Sequence, residues 1–485
     1  MASRRSGTAE ETLSETANRR SESRFVLLST SLLVDRVFLF TELVNTLSEL
    51  GDVEIWASSR EDRSAGDCWK ELGVSVETFP QVRPFREFPH NYLRRLNEFV
   101  WDYRFKPPSR MSMMKHRRIK DSHWTVKALR TPAKVLAATR TEARLEKLLE
   151  RFLLTYPRSE EALVRLSDNR PEVVVSTGPF QYEQPAVFSA AKALGIPTMA
   201  YIPSWDNVST KNRLVFDYDG YLVWNERTKE DLIRYYPSAK ERPIYVVGAP
   251  QFDVFRQQRF HLTREEFCLE QGLDPDLPII VYAIGSPNFL NEPPGAEYFA
   301  KQVADGELGD VQLLIRPHPI HDNGEMERLF GSFGPRVRFQ PTPNAGKELT
   351  QRTQDDVQIK EWVNTFRHAD VVINLSSTVS IDAALCDTPV VNLDFDPQPG
   401  RPDQQLIKEI NHKWDHFKPI AESGGVWLVN DFQELVEAVR AYLRDPSLHR
   451  KERRWIADYV CGFTDGKCGE RMAEAIADFA GKVNE

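Results

Sequence analysis

Two short stretches carry residues whose types and spacing suit phosphate chemistry. Arg316-Pro317-His318-Pro319 follows the apolar run Val311 to Ile315, and Ser376-Ser377-Thr378 follows Ala369 to Ile373. Arg316 supplies a planar cationic fork matched to a phosphate. His318 can donate to a phosphate oxygen or act as an acid near neutral pH. The flanking prolines fix the backbone and keep both side chains off a helix. After the three hydroxyls come helix formers, then a second apolar run, Thr388 to Leu393. The pattern is strand, hydroxyl-rich turn, helix, strand. The first N–H groups of such a helix have no intrahelical partners, so with the hydroxyls they form a site for an anion such as phosphate. The helix dipole alone contributes only about 0.3–1 kcal/mol, so several groups must converge. The plainer alternative is that the hydroxyls are N-caps.

Asp382 lies one to two turns into that helix, placed to accept hydrogen bonds from a ribose, with a solvated helix carboxylate as the alternative. Gly285-Ser286, after Pro278 to Ile284, and Asp394 to Asp396 complete four loops beyond strand ends. Ligands of open α/β sheets sit at such positions. In the first half of the chain, Trp205-Asp206-Asn207 also follows an apolar run, Thr198 to Ile202. An aromatic, a carboxylate and an amide suit a hydroxylated acceptor. Asp206 is the first choice for general base, with Glu183 and Asp35 as rivals that could also contact the acceptor. Asp217-Tyr218-Asp219 has the spacing of a metal-binding pair but precedes a strand, so it reads as a surface turn. No other metal constellation is visible.

These positions require elements to hold them. Apolar runs at Phe25 to Ser29, Val53 to Ala57, Val74 to Phe79, Glu172 to Ser176, Thr198 to Ile202, Tyr221 to Trp224 and Ile244 to Val247 alternate with helical patterns. The alternation resumes from Pro278 to Val429. It indicates βα units and parallel sheets. With 485 residues, two domains are expected. The reading is α/β, with two Rossmann-like domains facing across a cleft. The expected boundaries are a disordered tail at 1–23, a first domain at 24–257, a second at 258–460, and a C-terminal helix at 461–485 crossing back to the first.

The net charge of −8 hides an asymmetry. Residues 81–130 hold thirteen Lys or Arg against four Asp or Glu, leaving −17 for the rest. Within 81–165, Trp101, Tyr103, Phe105, Trp124, Met111, Met113 and Met114 mingle with Lys115, Arg117 and Arg118. This reads as a mainly helical basic insertion. Aromatics and methionines among cations suit an anionic membrane surface; the alternative is a solvated hairpin packed by its aromatics. No nucleic-acid-binding module is recognised, so nucleic acid is not an expected partner. No apolar run approaches the roughly 20 residues needed to span a bilayer, and the polar N-terminus lacks the apolar stretch of a secretory signal. Five scattered cysteines, without a CxxC pair, fit a reducing cytoplasm. The expected location is cytoplasmic, with peripheral attachment to the inner membrane face through the basic segment.

The order and wide spacing of Arg316-Pro317-His318-Pro319 and Ser376-Ser377 resemble GT-B fold glycosyltransferases, specifically the CDP-glycerol glycerophosphotransferase-like group and its capsule Kdo-transferase and bacterial sialyltransferase relatives. Gly248 to Asp253 is similar to the segment ending their first domain, and Asp465-Gly466-Lys467 through Glu470-Arg471 to the start of their crossing helix. The likeness covers residues 170–480 well and 24–80 only in general pattern. It implies that His318, Ser376 and Ser377 bind the donor phosphate, with the leaving nucleotide in the second domain; on the reading of the residues, Arg316 and Thr378 join them. Gly285, Ser286 and Asp382 would bind the nucleoside. Trp205, Asn207, Glu183 and Asp35 would bind the acceptor, and Asp206 and His318 would be catalytic. It further implies a metal-independent reaction without a cofactor, with a UDP- or CMP/CDP-linked donor as substrate and a surface glycan or glycolipid as acceptor. Two departures stand out: Asn374-Leu375 and Thr378 flank the serine pair instead of aromatic and Asp residues, and the basic insertion matches no one subfamily. The leading expectation is a glycosyl- or glycerophosphotransferase of cell-surface polysaccharide assembly. The alternatives are a non-hydrolysing nucleotide-sugar 2-epimerase, which shares the architecture, and a GT-B-like assembly protein without turnover.

Overall fold

The alternating apolar runs fold into two parallel sheets. The computed structural model describes residues 23–60, 68–82, 89–116, 124–155, 159–181, 183–211, 213–214, 217–287, 290–342, 354–398 and 404–484. Residues 1–22 of the expected tail, and Arg117 and Arg118, lie outside them. The first sheet contains β1 (Arg24–Ser29), β2 (Asp52–Ala57), β3 (Ser75–Thr78), β4 (Val173–Ser176), β5 (Thr198–Tyr201), β6 (Gly220–Val223) and β7 (Ile244–Val246), in the order β3-β2-β1-β4-β5-β6-β7. The second contains β8 (Ile279–Ala283), β9 (Gln312–Arg316), β10 (Val337–Phe339), β11 (Val371–Asn374), β12 (Val390–Leu393) and β13 (Trp427–Val429), in the order β10-β9-β8-β11-β12-β13. Neighbouring strands pair in parallel, as Leu27 with Ile55 and Ile373 with Tyr282. Helices cover both faces, so β4, β5, β6, β8, β11 and β12 are buried along their whole length. This is why those strands read as unbroken apolar runs. The expected fold class, two Rossmann-like units, is the one adopted.

In each sheet the strand order reverses beside the first strand, between β1 and β4 and between β8 and β11. A crevice opens at the carboxyl ends of strands at such a switch point. In the first sheet the crevice is filled by polar side chains. Ser176 donates to Gln184 at 2.7 Å, and the Gln184 amide donates to Thr30 at 2.8 Å. In the second sheet the loops after β8, β9 and β11 converge on the candidate site.

The basic insertion is helical, with elements at His90–Phe105, Pro108–Lys115, Trp124–Ala128, Arg130–Ala138, Glu142–Thr155 and Glu160–Asp168. It is anchored by Trp101, buried against Tyr235 and Tyr236 with ring centroids 5.8 and 5.5 Å away. The Trp101 indole donates to the Tyr235 carbonyl at 2.9 Å. Several of its cations are consumed internally. Arg110 grips Asp102 through two bonds of 2.9 and 2.8 Å, and Arg94 and Arg95 both pair with Glu98. On the Pro108–Lys115 helix, Ser112 and Lys115 bond Glu409 of the second domain at 2.7 and 2.8 Å, and His116, just beyond, lies 3.2 Å from the same carboxylate. Part of the charge excess that suggested a membrane surface is therefore an interdomain latch. No helix among the described residues is long and apolar enough to cross a membrane.

The last helix, Cys468–Asn484, lies against the first domain: Phe479 packs on Gly220 of β6, and Gly469 abuts Thr41. A Cβ at Gly469 would come within 2.6 Å of the Thr41 hydroxyl. The Asp253 carboxylate accepts the backbone N–H groups of Cys468 and Gly469 at 3.1 and 2.8 Å.

Candidate active site

Arg316 ends β9, and the Pro-His-Pro turn after it carries the chain across a concave pocket of about 180 Å³. The wall includes Arg316, His318, Thr342, Glu361, Val379 and Asp382. The Arg316 guanidinium donates to Gln340 and lies 5.6 Å from the centroid of the Phe366 ring. Gln340 is itself held by Thr365 at 3.0 Å. The cation's position is thus set by a nearby ring face and an oriented amide. His318 accepts the Ile320 N–H on Nδ1 at 3.3 Å, which leaves the ring proton of the neutral form on Nε2.

Asp382 is 6% exposed on the Val379–Leu385 helix. Burial pushes its carboxyl up to about 7, although Arg36 and Arg316 attract it and Trp362 hydrogen-bonds it. Arg36 comes from the other domain, on the Leu32–Phe40 helix that follows β1. It lies 3.9 Å over the Trp362 ring and donates Nε–H to Gln354 at 2.8 Å. Burial lowers its pKa to about 10. Burial also raises Glu361, opposed by Arg316. One guanidinium and two carboxylates of raised pKa line the cavity, with Arg36 attracting Asp382 from beside it, and this gives a site suited to an anion with hydroxyls attached. A phosphate would be met by Arg316 and His318, and ionised Asp382 accepts from a diol.

The loop after β8 is tied to this wall by His321, whose Nε2 is 3.1 Å from the Gly285 carbonyl. The Gly285 N–H is engaged by Glu292 at 2.7 Å. Glu292 is 1% exposed and pushed by burial up to about 7. Ser286 follows Gly285 and is half-buried.

The serine turn points inward. Ser376 has φ 44°, and its hydroxyl donates to Asn411 at 2.5 Å. Ser377 directs both its N–H and its hydroxyl to Asn374, at 3.0 and 3.2 Å, and its oxygen also accepts the Val379 N–H at 3.3 Å. Thr378 is exposed and makes no capping bond. Asn411 connects this turn to Asp394, which His412 approaches to 2.9 Å. Of the phosphate-binding residues expected from sequence, Arg316 and His318 line the pocket together with Asp382. Ser376 and Ser377 support the helix that carries Asp382.

The first-domain candidates lie elsewhere. Trp205 is buried with its ring 4.9 Å from His416 and 6.3 Å from Phe417, both of the second domain. Asp206 accepts from Ser204 at 2.5 Å, Asn207 at 3.0 Å and Thr210 at 2.8 Å. Burial alone would raise its pKa, but His416, Lys211 and those hydroxyls hold it below the usual value. Asn207 is buried at the start of a single helical turn. Asp35 is buried, with its oxygens taken by Ser29 and Ser59 and its carboxyl pushed by burial up to about 6. Glu183 precedes the Gln184–Ala193 helix without capping it. Asp217 and Asp219 face Arg242, and Asp219 also accepts from Thr198, at the opposite end of the strands.

Sequence reasoning missed Arg36, Glu361, Trp362, His321 and Glu292. Arg36 adjoins the selected Asp35, and His321 lies three residues past His318, but their partners are distant in the chain. Among the described residues no group of three His, Cys, Asp or Glu side chains is placed to hold a metal ion.

No family model and no curated protein matches this chain. Solved structures are similar in fold. A UDP-N-acetylglucosamine 2-epimerase aligns with a TM-score of 0.52 at 14% identity, over 96% of this chain and 98% of its own. The UDP-GlcNAc 2-epimerase from Neisseria meningitidis, solved with UDP-GlcNAc bound, gives 0.51 at 12% identity over 94% and 100%. A glycosyltransferase from Rickettsia africae gives 0.51 at 10% identity over 95% and 99%. At such identities the likeness shows the fold, of GT-B type. The similar structures are mostly 2-epimerases, which overturns the transferase as the leading expectation in favour of its alternative. The finer resemblance to the glycerophosphotransferase, Kdo-transferase and sialyltransferase group finds no support in these comparisons.

Proposed function

We propose that this chain binds a nucleoside-diphosphate sugar in the Arg316–His318–Asp382 pocket and interconverts it at carbon 2 of the sugar, as a non-hydrolysing nucleotide-sugar 2-epimerase. The observation that carries the reading is the contrast between the two sides of the cleft. The second-domain pocket presents Arg316, His318 and Asp382. The loop that would receive an acceptor is folded into the protein, with Trp205 packed on His416 and the Asp206 oxygens bonded by three neighbours. A one-substrate reaction needs only the first of these. The 2-epimerases of the same fold, one of them holding UDP-GlcNAc, support it.

The chemistry follows from the sugar. Hydrogen at carbon 2 is not acidified by a carbonyl, so inversion there accompanies departure of the diphosphate from carbon 1. A proton leaves carbon 2 and the C1–O bond breaks, giving an unsaturated sugar and a nucleoside diphosphate. The proton then returns to the opposite face of carbon 2 as the diphosphate oxygen adds back to carbon 1. Atoms and charge balance without acceptor or oxidant. Arg316 and His318 stabilise the charge gathering on the departing diphosphate, where preorganised donors act most strongly. Asp382 receives the ribose hydroxyls. A carboxylate of the facing first-domain loops exchanges the proton, and Glu183 is the first to test.

Incubation with UDP-GlcNAc in deuterium oxide tests the proposal. The expected result is deuterium at carbon 2 together with the epimeric UDP-sugar. Protein that binds UDP-GlcNAc yet leaves the carbon 2 hydrogen in place for hours is not an epimerase of this substrate.

A further inference from the structure

A second cavity, of about 530 Å³, lies in the helical insertion and is lined by Tyr103, Arg104, Lys106, Lys134 and Arg140 beside two alanines. Four of these are cations, and no carboxylate is among the lining residues. The His90–Phe105 helix ends here with Lys106 at φ 48°, its N–H returning to the Asp102 carbonyl at 2.9 Å. The Arg130–Ala138 helix also ends here, and Arg140 just beyond it has φ 56°. Lys134 sits 5.4 Å from the centroid of the Tyr103 ring. Beneath the cavity, Phe99, Val100, Val126, Ala133 and Ala137 form a small core of the insertion's own. The walls are therefore fixed helices.

The ordinary account of cations at helix C-termini is the dipole, worth about 0.3–1 kcal/mol each. It covers Arg104, in the last turn of its helix, and Lys106 and Arg140 just past helix ends. It does not cover Lys134, in the middle of its helix, nor the gathering of four like charges on one concavity, where each raises the energy of the others. Other cations of the insertion have carboxylate partners: Arg94 and Arg95 have Glu98, Arg110 has Asp102, and Lys115 has Glu409. Among the described residues no carboxylate pairs with Lys106, Lys134 or Arg140. We propose that this cavity binds a phosphate-bearing anion, which supplies the missing negative charge. Tyr103 and the alanines form the apolar wall for the group that carries the phosphate. The source is either a soluble phosphoanion or an anionic lipid headgroup; Val135, beside Lys134, is 62% exposed and suits the latter. This inference is independent of the function proposed above.

The experiment uses the full chain carrying Arg316→Ala, which silences phosphate binding at the candidate active site. Pyrophosphate is titrated by calorimetry, and sedimentation is followed with phosphatidylcholine vesicles with and without phosphatidylglycerol. The expected result is salt-sensitive binding of at least one probe, weakened tenfold or more by Lys134→Glu with Arg140→Glu. Pyrophosphate binding without vesicle binding identifies a soluble phosphoanion; sedimentation with anionic vesicles alone identifies a lipid headgroup. Should the charge-reversed pair fail to fold, Lys134→Gln with Arg140→Gln replaces it. Binding of neither probe, or undiminished binding by a variant of unchanged Tm, overturns the proposal.

Discussion

The guanidinium of Arg36 lies 3.9 Å above the ring of Trp362, so the first helix of the chain reaches into the other domain, next to Asp382, which lines its pocket. Arg36 also attracts the carboxylate of Asp382. Cation–π contacts contribute about 0.5–2 kcal/mol, more when desolvated, and this one joins the two halves of the cleft. Arg36→Ala is expected to weaken UDP binding about tenfold or more, measured by calorimetry at neutral pH. Arg36→Lys restores the charge without the flat stacking group and falls between. Wild-type affinity in Arg36→Ala would remove Arg36 from the site.

The carboxyl of Asp382 gives a pH-dependent prediction. Its folded-state pKa, about 7, lies above the ordinary 3.8. The folded state therefore holds a proton that the unfolded state has lost. Stability attached to this group is complete below pH 3.8 and declines as pH rises toward 7. Asp382→Asn abolishes that decline. The variant should outlast the parent at pH 8 by an amount on the order of a few kcal/mol, at about 1.4 kcal/mol per pKa unit, and the gain should fade by pH 4. Thermal unfolding across this range is the measurement, and a pH-independent difference contradicts the assignment. On the function proposed, the same substitution should lower turnover, since the neutral amide offers one acceptor oxygen where the carboxylate offers two.

What could be read from sequence divides along a physical line. Strands buried on both faces announce themselves as apolar runs, as β4, β5, β6, β8, β11 and β12 do, and Arg316 and His318 were legible because they follow one directly. Side-chain direction was not. Asp35 was chosen as a candidate, yet it bonds Ser29 and Ser59 while its neighbour Arg36 reaches Trp362 of the other domain. The serine pair marked the turn correctly, but its hydroxyls face Asn374 and Asn411. The charge excess at 81–130 was visible, whereas its internal use was not, because Glu409 is nearly three hundred residues from Lys115. The two short motifs could not separate transfer from epimerisation, since both reactions gather negative charge on a departing nucleotide phosphate.

Glu409 makes the latch between insertion and second domain testable. Burial raises its pKa, but hydrogen bonds from Lys115, Ser112, Lys413 and His116 more than offset this and bring it down to about 2. A depressed carboxylate stabilises the folded state above its unfolded pKa, here 4.5, and the contribution is lost as pH falls from there toward 2. Glu409→Gln is expected to cost about 1.5–3 kcal/mol at pH 7, the range for hydrogen bonds to a charged group. The difference from wild type should narrow below pH 4. Urea unfolding at both pH values, with hydrogen exchange followed over residues 108–116, checks both parts. An insertion that stays protected in the variant at pH 7 shows that the apolar anchor at Trp101 suffices.

Asp253 controls how the chain's end is fastened. Its carboxylate accepts two N–H groups at the start of the Cys468–Asn484 helix, while burial pushes its pKa up to about 6. The helix packs through Phe479 on Gly220 and cannot shift at Gly469 without meeting Thr41. Removing the cap leaves two buried donors unsatisfied. Asp253→Ala should therefore cost about 1–2 kcal/mol, the range for loss of an N-terminal cap. Asp253→Asn, which keeps an acceptor oxygen, should cost less. Because its pKa is raised above the ordinary carboxylate value, the aspartate is itself less favourable as pH rises from 3.8 through about 6. The asparagine variant should consequently lose little at pH 8 and most at pH 4. Hydrogen exchange over residues 468–484 is the direct readout: faster exchange there in Asp253→Ala, with the second sheet unchanged, is expected. Uniformly faster exchange across both domains would mean that the helix holds the whole molecule together and not only its own first turn.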